Sequence, residues 1–173
     1  MEKKELAKRI YEAAYITGSF VLRSGKISNE YFDKYRFESQ PELLASIAQF
    51  MSELIPDNID YLAALEMGGI PIATALSLRT GIPVVFVRKE AKKYGTCKLA
   101  EGLDIQNKRL LIVEDVVTSG GQVVISANDL RNLGAIVSSA ICVIDRQSGG
   151  KEHLKNNEID LISLFTMDEL KQA

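Results

Sequence analysis

Leu110 to Val123, LLIVEDVVTSGGQV, decides how the rest of the chain reads. Four apolar residues run into two adjacent carboxylates, Glu114 and Asp115. Val116 and Val117 follow, and then the small polar loop Thr118-Ser119-Gly120-Gly121. After it, Val123, Ile125, Ala127 and Leu130 keep the spacing of a helix face. The stretch predicts a buried strand over Arg109 to Val113, an acidic pair at its carboxyl end, and a glycine loop opening a helix over Gln122 to Leu133. Such a loop cradles phosphate, while paired carboxylates hold sugar hydroxyls or a metal-bound group. A phosphorylated sugar is a ligand that uses both.

The flanking sequence repeats the same unit. Ile59 to Leu65 reads as a strand, Ile70 to Leu78 as a helix and Pro83 to Val87 as a strand. Ala135 to Ile144 is another buried strand, and a short one near Asp160 to Leu164 precedes a terminal helical turn. Toward the amino terminus, Leu6, Ile10, Ala13, Ala14 and Tyr15 keep a helical period that ends near Gly18. Pro41 opens a helix with Leu43, Leu44, Ile47, Ala48, Met51 and Leu54 on its apolar side. Phe20 to Phe37 has no regular period and reads as a structured loop or short irregular strands.

Strands alternating with helices predict an α/β fold with a Rossmann-like, mostly parallel sheet flanked by helices. Ligands bind such sheets beyond the carboxyl ends of the strands. Glu66, Arg88, Glu114-Asp115 and Asp145-Arg146 all fall at predicted carboxyl ends. No linker, repeat or low-complexity segment divides the chain, so residues 1–173 are expected to form a single domain.

Composition narrows the classes. The formal net charge is −2, with both signs interspersed, which argues against nucleic-acid and anionic-membrane partners. Cys97 and Cys142 read as free thiols of a reducing compartment. The single histidine, His153, lies in a polar stretch, so neither a zinc site nor a histidine-dependent triad is expected. The amino-terminal MEKKELAKRIYEAAY lacks a continuous apolar stretch, and no apolar run approaches the ~20 residues that span a bilayer. The expected location is cytoplasmic.

Taken alone, TSGG fits an ordinary strand-to-helix turn with a hydroxyl cap; the acidic pair just upstream makes a ligand site the better reading. Neither GxxxxGK[ST] nor GxGxxG occurs. VEDVVTSGG resembles the phosphoribosyl-diphosphate motif of the type I phosphoribosyltransferases. The resemblance implies that Glu114 and Asp115 contact the ribose hydroxyls, that the loop Thr118, Ser119, Gly120 and Gly121 cradles the 5-phosphate, and that Val116, Val117 and Gln122 belong to the same donor site.

Phe86 to Gly102, FVRKEAKKYGTCKLAEG, is similar to the catalytic loop of the orotate phosphoribosyltransferases. Arg88, Lys89, Lys92 and Lys93 crowd it with cations able to stabilise the charge growing on a leaving diphosphate. The resemblance implies catalytic, diphosphate-contacting roles for Arg88, Lys89 and Lys92, with Lys92 reaching into a partner subunit's site. Tyr94 stands where some members carry histidine, and its hydroxyl keeps a phosphate contact. Leu22 to Asp33, LRSGKISNEYFD, resembles the family's amino-terminal hood, implying orotate contacts from Arg23, Tyr31 and Phe32. Asp145-Arg146-Gln147 resembles the family's DRQ segment, whose arginine pairs with orotate; Thr118 is expected at the same base. Its plain alternative is a salt bridge between Arg146 and Asp145. Glu66-Met67-Gly68-Gly69-Ile70-Pro71 occupies the place of the pyrophosphate loop, so Gly68 and Gly69 are expected to bind the donor through backbone N–H groups. Many members carry lysine where this chain has Gly68, and Glu66 would sit awkwardly near a diphosphate.

The fold implied is the type I phosphoribosyltransferase fold, with a helix and a small hood over residues 1–40 and an α/β core over 41–165. The implied reaction joins orotate to phosphoribosyl diphosphate, giving orotidine 5-monophosphate and diphosphate for UMP synthesis. Mg²⁺ is expected on the diphosphate, with no protein side chain assigned to it. A homodimer with shared active sites is expected. A phosphoribosyltransferase for another base, or a non-catalytic nucleotide-sensing regulator of the same fold, are the alternatives.

Overall fold

The computed structural model describes residues 1–22, 25–95 and 98–173, so Arg23 and Cys97 lie outside the described residues. In chain order the elements are α1 (Lys3–Ala14), β1 (Tyr15–Val21), β2 (Ile27–Phe32), α2 (Tyr35–Glu38), α3 (Pro41–Ser52), β3 (Tyr61–Leu65), α4 (Gly69–Thr80) and β4 (Val84–Val87). They continue with β5 (Ala100–Glu101), β6 (Arg109–Val117), α5 (Gly121–Asn132), β7 (Ile136–Asp145), α6 (Gly150–Lys155), β8 (Asp160–Thr166) and α7 (Met167–Gln172).

The main sheet runs β5-β4-β3-β6-β7-β8. All neighbours are parallel except β5, which pairs antiparallel with β4. In β6, Leu111 and Val113 face one core while Leu110 and Ile112 face the other. That two-residue alternation, apolar on both sides, is what a sheet covered on both faces requires. Leu6 and Ile10 of α1, Leu43 and Ile47 of α3, Ile72 and Leu76 of α4 and Leu170 of α7 fill the first core. Val123, Ala127 and Leu130 of α5 and Leu154 of α6 fill the second. The hood is the antiparallel hairpin β1–β2, its register broken between Thr17 and Phe20.

Four local readings need correction. The first helix stops at Ala14, and Tyr15 opens β1, paired with Phe32. Ile16 and Thr17 are β-branched and Gly18 follows, so strand pairing outweighs the helical period there. The central strand runs to Val117, four residues past the predicted Val113, because β7 continues to pair with it through Val117↔Asp145. The acidic pair therefore lies inside β6 rather than at its end. Neither α6 nor β5 was expected, since six and two residues carry no measurable period.

Candidate active site

The sheet order reverses between β3 and β6: from β3 the chain moves outward through α4 to β4, then returns to β6 on the other side of β3. Crevices at such a switch point are where ligands bind in open α/β sheets. Pairing of β3 with β6 ends at Ala64↔Val113, so the next residues of β6 lose one neighbour. The turn from β3 into α4 crosses that gap, and its glycines lie against β6. A Cβ on Gly69 would come to 2.2 Å from the Val113 carbonyl oxygen. One on Gly68 would come to 1.5 Å from Asp115 Oδ2. A side chain at 68 would force the Asp115 carboxylate to move. The Glu66–Met67 peptide in this turn is cis.

Asp115 continues the row of Leu111 and Val113 and is fully buried. Its Oδ2 pairs with Lys34 Nζ at 2.5 Å, and its Oδ1 accepts the Val116 N–H. Lys34 comes from the turn before α2 and also stacks its ammonium over the Tyr35 ring at 5.1 Å. Glu38, at the end of α2, is buried beside Asp115. Burial, with Asp115 next to it, pushes the Glu38 carboxyl up to about 9. Glu114 is raised to about 8 by burial and by the neighbouring Asp115 charge. Glu114 is partly exposed and accepts the Asp115 N–H at 3.2 Å. Asp115 already has a protein cation.

Thr118 and Ser119 are exposed at the carboxyl end of β6, and Gly120 turns the chain into α5 with φ 74°. A Cβ on Gly120 would lie 2.1 Å from Leu154 Cδ1, so conformation and space both demand glycine. The first N–H groups of the 12-residue α5 have no partner within the helix, an arrangement that suits an anion. The Gln122 side chain donates to Ser126 Oγ at 3.2 Å, so only its backbone serves the loop. Val117 is packed in the second core, its carbonyl accepting the Arg146 N–H at 2.9 Å. From α6, His153 Nδ1 donates to the Ser119 carbonyl at 2.8 Å, fixing the loop from behind.

Between hood and loop lies a cleft of about 220 Å³ lined by Tyr31, Phe32, Lys34, Val116, Thr118 and Arg146, among others. It joins a larger one, about 480 Å³, through Tyr31, Phe32 and Arg146, with Tyr11, Tyr15 and Glu30 on its walls. Phe20 packs on Tyr31 at 5.6 Å between centroids, and Tyr11 on Phe32 at 6.4 Å. Tyr15 Oη donates to Glu30 Oε2 at 2.5 Å. Asp145 is engaged by the Gln147 N–H at 2.8 Å instead of by Arg146, whose side chain lines both clefts. Tyr31, Phe32, Thr118 and Arg146 thus share one cleft.

Beyond β4 the loop turns back so that Phe86↔Glu101 and Val87↔Ala100 pair. Arg88 Nε and Lys92 Nζ both meet Glu101 Oε1, at 3.3 and 2.8 Å. Lys92 first, then Arg88, holds the Glu101 carboxyl below its usual range. The Lys89 side chain is exposed, and its N–H donates to Glu66 Oε1 at 2.6 Å. Glu66 therefore ties the ends of β3 and β4 together. Tyr94 is exposed.

Lys34, Glu38, Glu30 and His153 were not singled out from sequence. Glu30 lies within the hood segment Leu22 to Asp33 without being assigned a role, and the other three lie in polar stretches that only folding carries to the site. The spacing Asp33-Lys34 directly after the Tyr31-Phe32 pair was the one available signal.

A family model described as phosphoribosyl transferase domain matches residues 35–166. An orotate phosphoribosyltransferase of a Nocardioides species is 46% identical over 168 residues, spanning 97% of this chain and 94% of the relative. That of Methanocaldococcus jannaschii is 38% identical, spanning 99% and 98%. The crystal structure of Mycobacterium tuberculosis orotate phosphoribosyltransferase in complex with Fe(III) dicitrate superposes with a TM-score of 0.87 at 29% identity, covering 97% of this chain and 98% of that one. With the glycine loop, the acidic strand and the aromatic hood all built on that shared fold, the chain belongs to the orotate phosphoribosyltransferase family.

Proposed function

We propose that this chain transfers the phosphoribosyl group of 5-phospho-α-D-ribose 1-diphosphate to orotate, releasing diphosphate and forming orotidine 5-monophosphate in UMP synthesis. The observation that carries this is the single cleft in which Tyr31, Phe32 and Arg146 meet Thr118 of the phosphate loop. A planar anionic base lies against the aromatic pair, with the Arg146 guanidinium offering paired donors to its carboxylate or ring oxygens. The 5-phosphate sits on Thr118 to Gly121 and the amino terminus of α5. The β6 acidic pair builds the ribose site: Glu114 takes the hydroxyls from its partly exposed position, and Asp115, buried behind it and paired with Lys34, supports that position.

The step breaks the ribose C1–O bond to diphosphate and forms a C1–N bond to the base. Positive charge grows on the ribose and negative charge on the diphosphate, so orientation and charge stabilisation matter more than a nucleophile. Arg88, Lys89 and Lys92 supply the cations. Arg88 and Lys92 pair with Glu101, and the more highly charged diphosphate takes over both. The loop after β6 offers hydroxyls and N–H donors and the loop after β4 offers cations, which suit anionic oxygens, while Glu66 and Glu101 line the crevice beside Arg88. The diphosphate would carry the Mg²⁺, with no protein side chain assigned to the ion, and the ion would neutralise part of the diphosphate charge. Gly68 and Gly69 contribute backbone N–H groups to the donor as well as room for Asp115.

The enzyme works in the cytoplasm as a homodimer, with Lys92 acting at the partner's site; among the described residues no helix is long and apolar enough to cross a membrane. Support for the donor comes from a Mycobacterium tuberculosis relative whose structure holds 5-phospho-alpha-D-ribosyl 1-diphosphate, superposing with a TM-score of 0.83. Incubation with the donor, Mg²⁺ and each nucleobase in turn tests the reading. Orotate absorbance should fall while purines are left untouched. Consumption of a purine with orotate unchanged would overturn it.

A further inference from the structure

Glu38 stands apart from the motifs that identify the family. It is 5% exposed, and among the described residues neither of its carboxyl oxygens meets a hydrogen-bond donor. Its polar neighbour is Asp115, already committed to Lys34. Two bare carboxylates held together away from water repel, and burial raises the cost of a second charge. One proton between them changes the sign of the contact: a neutral carboxyl donates to its ionised neighbour, and a charge-assisted bond of this kind is short and strong. Lys34, Asp115 and a neutral Glu38 then sum to zero net charge.

We propose that Glu38 is a positioning residue of the ribose site: it stays neutral, donates a hydrogen bond to Asp115 and, with Lys34, fixes how that carboxylate is set beneath the sugar. Its effect rests on the reading that the β6 acidic pair holds the ribose hydroxyls. Glu38 itself touches no substrate. The charged groups that act on it most strongly are Asp115 and Glu114 from β6 and Lys34 from the turn before its own helix. With its carboxyl pushed up to about 9, the folded protein holds a proton at Glu38 that the unfolded chain gives up near 4.5. The stability this proton contributes is complete below the ordinary carboxyl range and is lost as pH rises toward the folded value. A glutamine has the same shape, donates through its amide and cannot ionise.

The test compares wild type, Glu38→Gln and Glu38→Leu by titration calorimetry with phosphoribosyl diphosphate, by turnover, and by thermal denaturation, from about pH 6 to about pH 10. Glu38→Gln should keep the donor affinity of wild type within about twofold at neutral pH, and retain it at alkaline pH where wild type weakens. Glu38→Leu should weaken donor binding about tenfold, the size expected for one hydrogen bond to a charged group, with the KM for orotate unchanged. The Tm of Glu38→Gln should gain on wild type steadily as pH rises. Equal losses in the glutamine and leucine variants at neutral pH would show that a charged Glu38 is required and overturn the proposal. So would normal donor affinity in Glu38→Leu, or a Tm difference independent of pH. If the leucine variant does not fold, the glutamine comparison still decides. Donor binding without orotate consumption in any of the proteins would instead count against the proposed reaction.

Discussion

Two clusters in this molecule use the same ingredients to opposite ends. Lys34, Asp115 and Glu38 meet beneath the sheet edge, where Asp115 and Glu38 are buried. Arg88, Lys92 and Glu101 meet on the loop beyond β4, where the carboxylate keeps solvent contact. Burial pushes the Glu38 carboxyl up, whereas the two cations pull Glu101 down. Away from water, charge is expensive and the cluster settles by keeping a proton. In water, charge is cheap and the pairs exchange easily for a better anion. The buried cluster is therefore suited to hold geometry, and the exposed one to hand its cations to substrate.

The widest separation between the two should come from Lys92→Ala. Losing one well-placed electrostatic group is expected to lower turnover by about 10²–10³. Because Lys92 pairs only at the surface, Tm should stay put. A large Tm loss with normal specific activity of the folded fraction would show that the loop cluster is structural after all.

Gly68→Ala probes the buried cluster next. Its methyl would meet Asp115 Oδ2 at 1.5 Å, with Lys34 leaving that carboxylate little room to retreat. Overpacking of this kind costs about 1–3 kcal/mol, read by urea denaturation, and should weaken donor binding alongside. Unchanged stability would mean that Asp115 shifts freely, which breaks the contrast between a fixed and an exchangeable site.

The smallest effect belongs to Glu101→Gln. Freed from their carboxylate, Arg88 and Lys92 should lower the KM for phosphoribosyl diphosphate by less than about fivefold, and high salt should erase the difference. A rise in that KM would show Glu101 orienting the cations instead of competing for them.

How much of this was legible beforehand differs between the clusters. Arg88 and Lys92 stand in a run of cations at a strand end, so their grouping showed in the sequence. Their partner Glu101 did not, because its place depends on the return of the loop through β5. The alternation of Leu110 to Val113 predicted a strand covered on both faces, but its length depended on β7. His153 read as a polar outsider because α6 is too short to show a period, yet its ring holds the phosphate loop.

By itself the sequence determined the α/β alternation, the glycine loop after an acidic strand, and the charged residues collected at one edge, because these follow from periodicity and from spacings of a few residues. Only the tertiary structure decided that Asp115 is sealed under Lys34, that Gly68 is glycine to make room for it, and that Glu38 lies beside them. Those contacts join residues far apart in the chain, and the ionisation of buried groups depends on what folding places around them.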